Sequence, residues 1–304
     1  MEYIIQSESV TAIADAIRSK TGNQDKLTLE QMVTEIEGIA IGSGGADTGE
    51  EWVGDGRTHI WVELAEGRTS PKLGICLNGT ATIDWGDGTA PETLTAKDIW
   101  NLAYSNVHNY EKAGRYHIAV AIEGAAGLKG MNPSSNLYVS HLLTGEGLEQ
   151  RLYGRRIKKV EVGSNVTYLF SSSLSGCYGM EAVKIADTVS QVHDLCFNDN
   201  TTLKSVKLPA MLPEIKSHLF AGCKSLDYAK IPASVNKVGS RAFNSCDAMS
   251  VIDFSEHTAV PALADVYAFS YIPEDCEIRV PAALYAEWIA ETNWVTYASQ
   301  IKAV

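Results

Sequence analysis

The stretch that decides the fold runs from Ile157 to Met249. Written in lines it reads IKKVEVGSNVTYLFSSSLSGCYGM (157–180), EAVKIADTVSQVHDLCFNDNTTL (181–203), KSVKLPAMLPEIKSHLFAGCKSL (204–226) and DYAKIPASVNKVGSRAFNSCDAM (227–249). The lines are 23 residues long, except the first, which is one longer. Apolar residues then fall into columns. Val160, Val183, Val206, Ala229 and Ile252 make one, and Val162, Ile185, Leu208, Ile231 and Phe254 another. Val166, Val189, Leu212 and Val235 follow, then Leu169, Val192, Ile215 and Val238, then Leu174, Phe197, Phe220 and Phe243. Met180, Leu203, Leu226 and Met249 close each line, and Pro209 and Pro232 share a register. A single turn of this length cannot bury its own apolar edge. Stacked turns can, because each strand pairs with its counterpart in the next turn and the columns merge into one core. The alternation in V-x-[IL] predicts a short strand with two inward residues.

The endings HLFAGCKSL and RAFNSCDAM resemble the BspA-like leucine-rich-repeat family, over roughly residues 157–273. The resemblance implies a solenoid in which the cysteine of each ending is a buried column residue. Cys177, Cys223 and Cys246 fit that column and Asn200 replaces it once. A disulfide between Cys223 and Cys246 is possible at rung spacing, but parallel Cβ vectors about 4.8 Å apart exceed the usual disulfide distance, so free buried thiols are expected. After Phe254 the period degrades. Cys276–Val280 reads as a strand before Pro281, Leu284, Tyr285 and Trp288 share a helical face, and Trp294, Tyr297 and Ile301 are expected to cover the last rung. Without a cap the open end would be an aggregation edge.

Upstream, ATIDWGDGTAPETL and HNYEKAGRYHIAVAI alternate as strands, the latter through Tyr116, Ile118, Val120 and Ile122. The pair DWGDGT (84–89) and HNYEKAGRYHIAV (108–120) resembles the PKD-type β-sandwich, over roughly residues 52–124. PETLTAKDIWNLAYSNV lies outside that pattern and reads as an insertion. Asp84 and Asp87 lack the further carboxylates of a calcium loop and are expected to bond backbone amides in the turn.

At the start of the chain, Ser7 caps a helix with Val10, Ile13, Ala14 and Ile17 on one face. Thr28 opens a second, with Gln31 completing a capping box. Ile13–Gly22 and Lys26–Met32 resemble an N-terminal motif of tail and tail-fibre proteins from phages and prophages of gut Firmicutes. The expected organisation is mainly β: a helical anchoring segment (1–41), a Gly-rich linker (42–51), a PKD/Ig-like sandwich (52–124), a connector or irregular first rung (125–156), the solenoid (157–273) and a C-terminal cap (274–304).

The net charge of −12 disfavours general binding to phosphate backbones. The basic run Arg151, Arg155, Arg156, Lys158 and Lys159 is read as a solvated entry loop, not a nucleic-acid patch. No apolar run is long enough to span a membrane or to form a signal core. No G-x-S-x-G, G-x-G-x-x-G, Walker A or H-E-x-x-H occurs, and none of the seven His has metal-ligand spacing to another. No catalytic residue, metal or cofactor is therefore expected. His108 and His117, in the sandwich hairpin, are read as packed or surface residues. One surface row stands out. The outward residues of successive strands are Glu161, Lys184, Lys207, Lys230 and Asp253, with Tyr228 beside them. They are either an anion-binding stripe or a solvated strand surface in which Glu161 and Asp253 balance the lysines.

These readings together predict a non-catalytic virion or tail protein. Residues 1–41 would hold other tail subunits, the solenoid would touch a host-surface glycan or protein, and a homo-oligomer is possible. The alternative is a bacterial cell-surface adhesin with the same repeats. A carbohydrate-active enzyme stands third.

Overall fold

The computed structural model describes residues 52–131, 139–140, 142–144 and 153–304. The expected anchoring helices and the Gly-rich linker lie outside the described residues. All described residues belong to one unit, Gly45–Val304.

The first part is four long strands: β1 (Thr58–Leu64), β2 (Lys72–Asp84), β3 (Glu92–Tyr104) and β4 (Gly114–Leu128). They pair antiparallel in the order β1-β4-β2-β3. Ile118, Val120 and Ile122 of β4 are buried as the alternation requires. Residues 91–107, expected as an insertion, instead supply β3. The alternation that fits a strand stops at Asp98, because the β2–β3 register shifts there: Leu77 faces Asp98 while Cys76 faces Leu102. The extra residues form a bulge that carries Trp100 outward, 61% exposed. Short strands follow: β5 (Gly130–Met131) pairs with β6 (Val139–Ser140), and β7 (Leu143–Thr144) pairs with the start of β2.

A 3-10 turn (Gly154–Arg156) leads into the repeats. Each rung supplies two strands. The first ladder holds β8 (Ile157–Val162), β10 (Ala182–Ile185), β12 (Ser205–Lys207), β14 (Tyr228–Lys230), β16 (Val251–Asp253) and β18 (Glu277–Val280). The second holds β9 (Val166–Leu169), β11 (Gln191–Val192), β13 (Glu214–Ile215), β15 (Lys237–Val238) and β17 (Ala262–Leu263). Pairing between rungs is parallel. The first ladder is interrupted between β12 and β14. Ala186 donates its N–H to the Val162 carbonyl at 3.2 Å, and Pro209 and Pro232 occupy the same register without a donor.

The expected boundary at residue 124 falls inside β4. β1 pairs antiparallel with β8, placing Ile60 opposite Val160, and the end of β4 pairs with β9, placing Leu128 opposite Leu169. The first four strands therefore continue the same hydrogen-bonded sheet as the first rungs and cover the backbone edges that β8 and β9 would otherwise expose.

Inside the stack the columns align. Val183, Ile185, Ile231, Phe197, Phe220 and Phe243 are each no more than 1% exposed, and Leu208 is 7% exposed; Val206 is only partly buried. The Phe197 and Phe220 rings stack at 5.4 Å, Phe220 and Phe243 at 5.1 Å, and Phe269 extends the column at 5.7 Å. All six cysteines are buried, and none is in a disulfide among the described residues.

The period does not end at Phe254. One rung is longer, so Asp253 pairs with Arg279, 26 positions on, and the next pairing, Arg279 with Lys302, returns to 23. RAFNSC (241–246) corresponds to YAFSYI (267–272) across this longer rung. A 3-10 turn (Ala282–Leu284), helix α1 (Tyr285–Ala290) and a second 3-10 turn (Trp294–Tyr297) then close the end, and β19 (Ile301–Ala303) adds a last strand to β18. Trp288 and Trp294 are fully buried against Phe254, and Trp294 Nε1 donates to the Pro261 carbonyl at 2.7 Å.

Candidate recognition face

Strand geometry puts alternate residues of the first ladder outside. The row predicted from sequence lies there in register: His59 faces Glu161, Glu161 faces Lys184, Lys184 faces Lys207, and Lys230 faces Asp253. The neighbouring row holds Trp61, Lys159, Ala182, Ser205 and Tyr228. The face therefore runs from the antiparallel strands to the cap, where Arg279 and Lys302 continue it.

The lysines are not equivalent. Lys184 Nζ bonds Glu161 at 2.8 Å, and Glu161, only 5% exposed, also accepts from the Val53 and Gly54 amides at 2.8 and 3.1 Å. Lys230 turns to Glu256 at 2.6 Å, not to Asp253. Asp253 accepts the Tyr228 hydroxyl at 2.8 Å. Burial, then the hydrogen bond to that carboxylate, push the Tyr228 phenol up to about 12. Burial acts against Asp253, but bonds from Ser255 and Tyr228 hold its carboxyl below the usual range. Lys207 is exposed and takes part in none of the ion pairs among the described residues. Glu161 pairs with Lys184 at one end of the row, and Glu256 pairs with Lys230 near the other, where the Lys230 charge also acts on Asp253. Glu256 sits three residues past the strand, beyond what period-two reasoning samples.

Where the face meets β1 and β4 there is a cluster that sequence reading missed. Lys159, 2% exposed, lies between the rings of Trp52 and Trp61, at 4.2 and 4.6 Å from their centroids. Trp61 stacks on His117 at 4.5 Å. His117 Nε2 lies 2.9 Å from His59 Nδ1, and His59 Nε2 lies 2.8 Å from Asp55 Oδ1. Burial opposes ionisation of Asp55, yet bonds from His59 and Arg57 hold its carboxyl well below the usual range. The residues involved are far apart in sequence, so only the β1–β8 and β1–β4 pairings bring them together.

The basic run after residue 150 disperses. Arg151 lies outside the described residues, Arg155 stacks on Tyr178, Lys158 reaches Glu63 at 3.2 Å, and Lys159 is buried. Asp84 and Asp87 accept backbone amides from Gly86 and Thr89 at 2.9 and 3.1 Å, the turn role expected of them. His108 stacks on Trp85 and reaches Asp87 at 2.7 Å. Among the described residues no group of three or more His, Cys, Asp and Glu is placed to hold a metal ion. No described helix is long and apolar enough to cross a membrane.

The family comparison agrees with the repeat architecture. Residues 149–272 match the family described as BspA type leucine rich repeat region, in six copies. No curated protein matches the chain. Among solved structures, a leucine-rich repeat protein from Bacteroides ovatus ATCC 8483 is 18% identical with a TM-score of 0.38, over 49% of this chain and 37% of that one. A leucine rich cell surface protein from Faecalibacterium prausnitzii A2-165 is also 18% identical with a TM-score of 0.38, over 58% and 41%. The T. pallidum Leucine Rich Repeat protein is 21% identical with a TM-score of 0.35, over 51% and 70%. The chain spans less than half the length of the first two. Neither the PKD-type nor the tail-fibre resemblance is met by these matches. The repeat period and the stacked columns make the solenoid a leucine-rich-repeat fold, similar over residues 149–272 to the BspA type region in six copies.

Proposed function

We propose that the chain is a non-catalytic recognition protein of the surface-adhesion kind, and that the outer face of the first ladder contacts an anionic glycan or protein on a cell surface. Leucine-rich-repeat regions of this type are generally non-catalytic scaffolds. The observation that carries the reading is the aligned row Glu161–Lys184–Lys207, in which the inner charges neutralise each other and Lys207 stands exposed with no ion pair among the described residues. Such a cation gains from an anionic partner without first breaking an internal bond. The test is binding of the purified chain to cell-wall glycan carrying carboxylate or phosphate. Changing Lys207 and Lys230 together to Glu is expected to cost about 1 kcal/mol per charge, roughly five- to tenfold per site, and to flatten the salt dependence. Unchanged affinity would remove the row from the account.

A second setting for the same face is a phage tail. It is supported by the match of Ile13–Gly22 and Lys26–Met32 to the tail-protein motif. In that setting residues 1–41 would hold neighbouring virion subunits. Portal, tape-measure or lysin genes beside the coding sequence would favour it, and a gene neighbourhood of exported proteins would favour the cell surface. The PKD-type reading of residues 52–124 rests on DWGDGT and the His108–Val120 segment and bears on neither setting.

A further inference from the structure

The last long rung departs from the repeat at Tyr271, which with Tyr267 borders one groove. The register that holds Gly176, Asp199, Gly222 and Ser245, all with positive φ, places Tyr271 next, also left-handed at φ 60 and 81% exposed. A bulky side chain in this region is strained, and glycine or a small polar residue is the ordinary occupant. The register of Ser172, Leu195, His218 and Arg241 places Tyr267 next, 53% exposed. At the Tyr271 position a rung that only had to stack would keep a small residue, as its predecessors do; the Tyr267 position has carried large side chains since Leu195.

The two tyrosines border a cavity of about 490 Å³, floored by Phe269 and Tyr297 and lined also by Arg241, Asn244, Glu274 and Gln300. That volume lies within the usual range for small-ligand sites. Arg241 lies over the Tyr267 ring at 5.7 Å, and neither Arg241 nor Glu274 enters an ion pair among the described residues. Gln300 uses its amide nitrogen on the Pro273 carbonyl at 3.0 Å, which leaves its amide oxygen as an acceptor. The tyrosine faces suit the C–H faces of a sugar ring. The carboxylate, guanidinium and amide suit its hydroxyls, which both donate and accept.

We propose that this groove binds a saccharide of one to three rings, stacked on Tyr267 and Tyr271 and held through hydroxyls by Arg241 and Glu274. The site is independent of the lysine row. The test uses the full chain on an array of neutral, N-acetylated and uronate-containing di- and trisaccharides, with bound members then titrated by calorimetry. The tyrosine-to-glycine variant Tyr271→Gly is expected to weaken binding roughly tenfold or more while leaving the unfolding midpoint equal or higher, because glycine relieves the left-handed position. Glu274→Gln is expected to weaken the same ligand, and Lys207→Glu to leave it unchanged. An array on which the native chain binds nothing overturns the proposal. So does a ligand that binds Tyr271→Gly as tightly as the native chain. A ligand lost on Lys207→Glu but retained by Tyr271→Gly would support the ladder face and remove this groove.

Discussion

Asn200 shows how a side chain can break a repeat in sequence and keep it in structure. Its amide nitrogen donates to the Leu174 carbonyl, 26 residues back, at 2.9 Å. Cys223 and Cys246 donate their thiols to the Phe197 and Phe220 carbonyls, also 26 residues back, at 3.2 Å. The column is therefore defined by a donor aimed at the previous rung, which explains why an amide substitutes for a thiol. Burial pushes the Cys223 and Cys246 thiols up, so they remain protonated donors. Asn200 also accepts the Cys177 amide at 2.8 Å. Asn200→Ala removes both of these buried bonds, and about 2–3 kcal/mol of stability should be lost in urea unfolding. Asn200→Asp adds a buried charge and is expected to be no better tolerated.

His257 is a second residue whose role is structural. It is 4% exposed, packed against Phe254 and Trp288, with its ring nitrogens 3.2 Å from the Phe254 and Val235 carbonyls. Burial, outweighing those bonds, lowers its pKa from 6.5. The unfolded chain therefore takes up the proton first as pH falls below about 6.5, and stability declines from there down to the folded pKa. Unfolding midpoints at pH 7.5 and 5.5 should differ more for the native chain than for His257→Gln. Equal differences would assign the acid loss elsewhere. The depressed carboxyls of Asp87 and Asp253 act only at lower pH, below about 3.8.

At the scale of elements, the junction of β1 with β8 is held by a close backbone approach. A Cβ on Gly163 would meet the Arg57 carbonyl carbon and Gly56 oxygen at 2.5 Å and the Thr58 nitrogen at 2.7 Å. Its own N–H donates to Thr58 Oγ1 at 3.0 Å. Gly163→Ala must push backbone apart and should cost about 2 kcal/mol or more, read as a lower unfolding midpoint. An unchanged midpoint would mean that the segment before β1 is not seated on β8 as described. The repeating elements were legible from Val160 through Met249 because each column repeats one side-chain requirement. β3 was not, because a bulge removes the alternation around Trp100. The rung from Asp253 to Arg279 was not, because three added residues shift every later column and Ile272 replaces the cysteine.

At the scale of the molecule, the same local rule covers both ends. Four antiparallel strands cover the first rung, and two tryptophans with a final strand cover the last. The second cover could be read from Leu284, Tyr285 and Trp288 on one helical face, with Trp294, Tyr297 and Ile301 after it. The first could not, since pairing between β1 and β8 joins segments about a hundred residues apart with no shared pattern. Likewise the lysine row could be read from the period, whereas Lys159 between Trp52 and Trp61, and the His59–His117 contact, needed the fold.

The central claim is that the strands from β1 to β4 and the solenoid are one stack, with β1 and β4 as its first layer. It is tested most directly by sedimentation and urea unfolding of a chain that begins at Tyr153. The account predicts that exposed β8 and β9 edges drive association, or that the remaining repeats unfold at a much lower midpoint. A monomer with the midpoint of the full chain would contradict it.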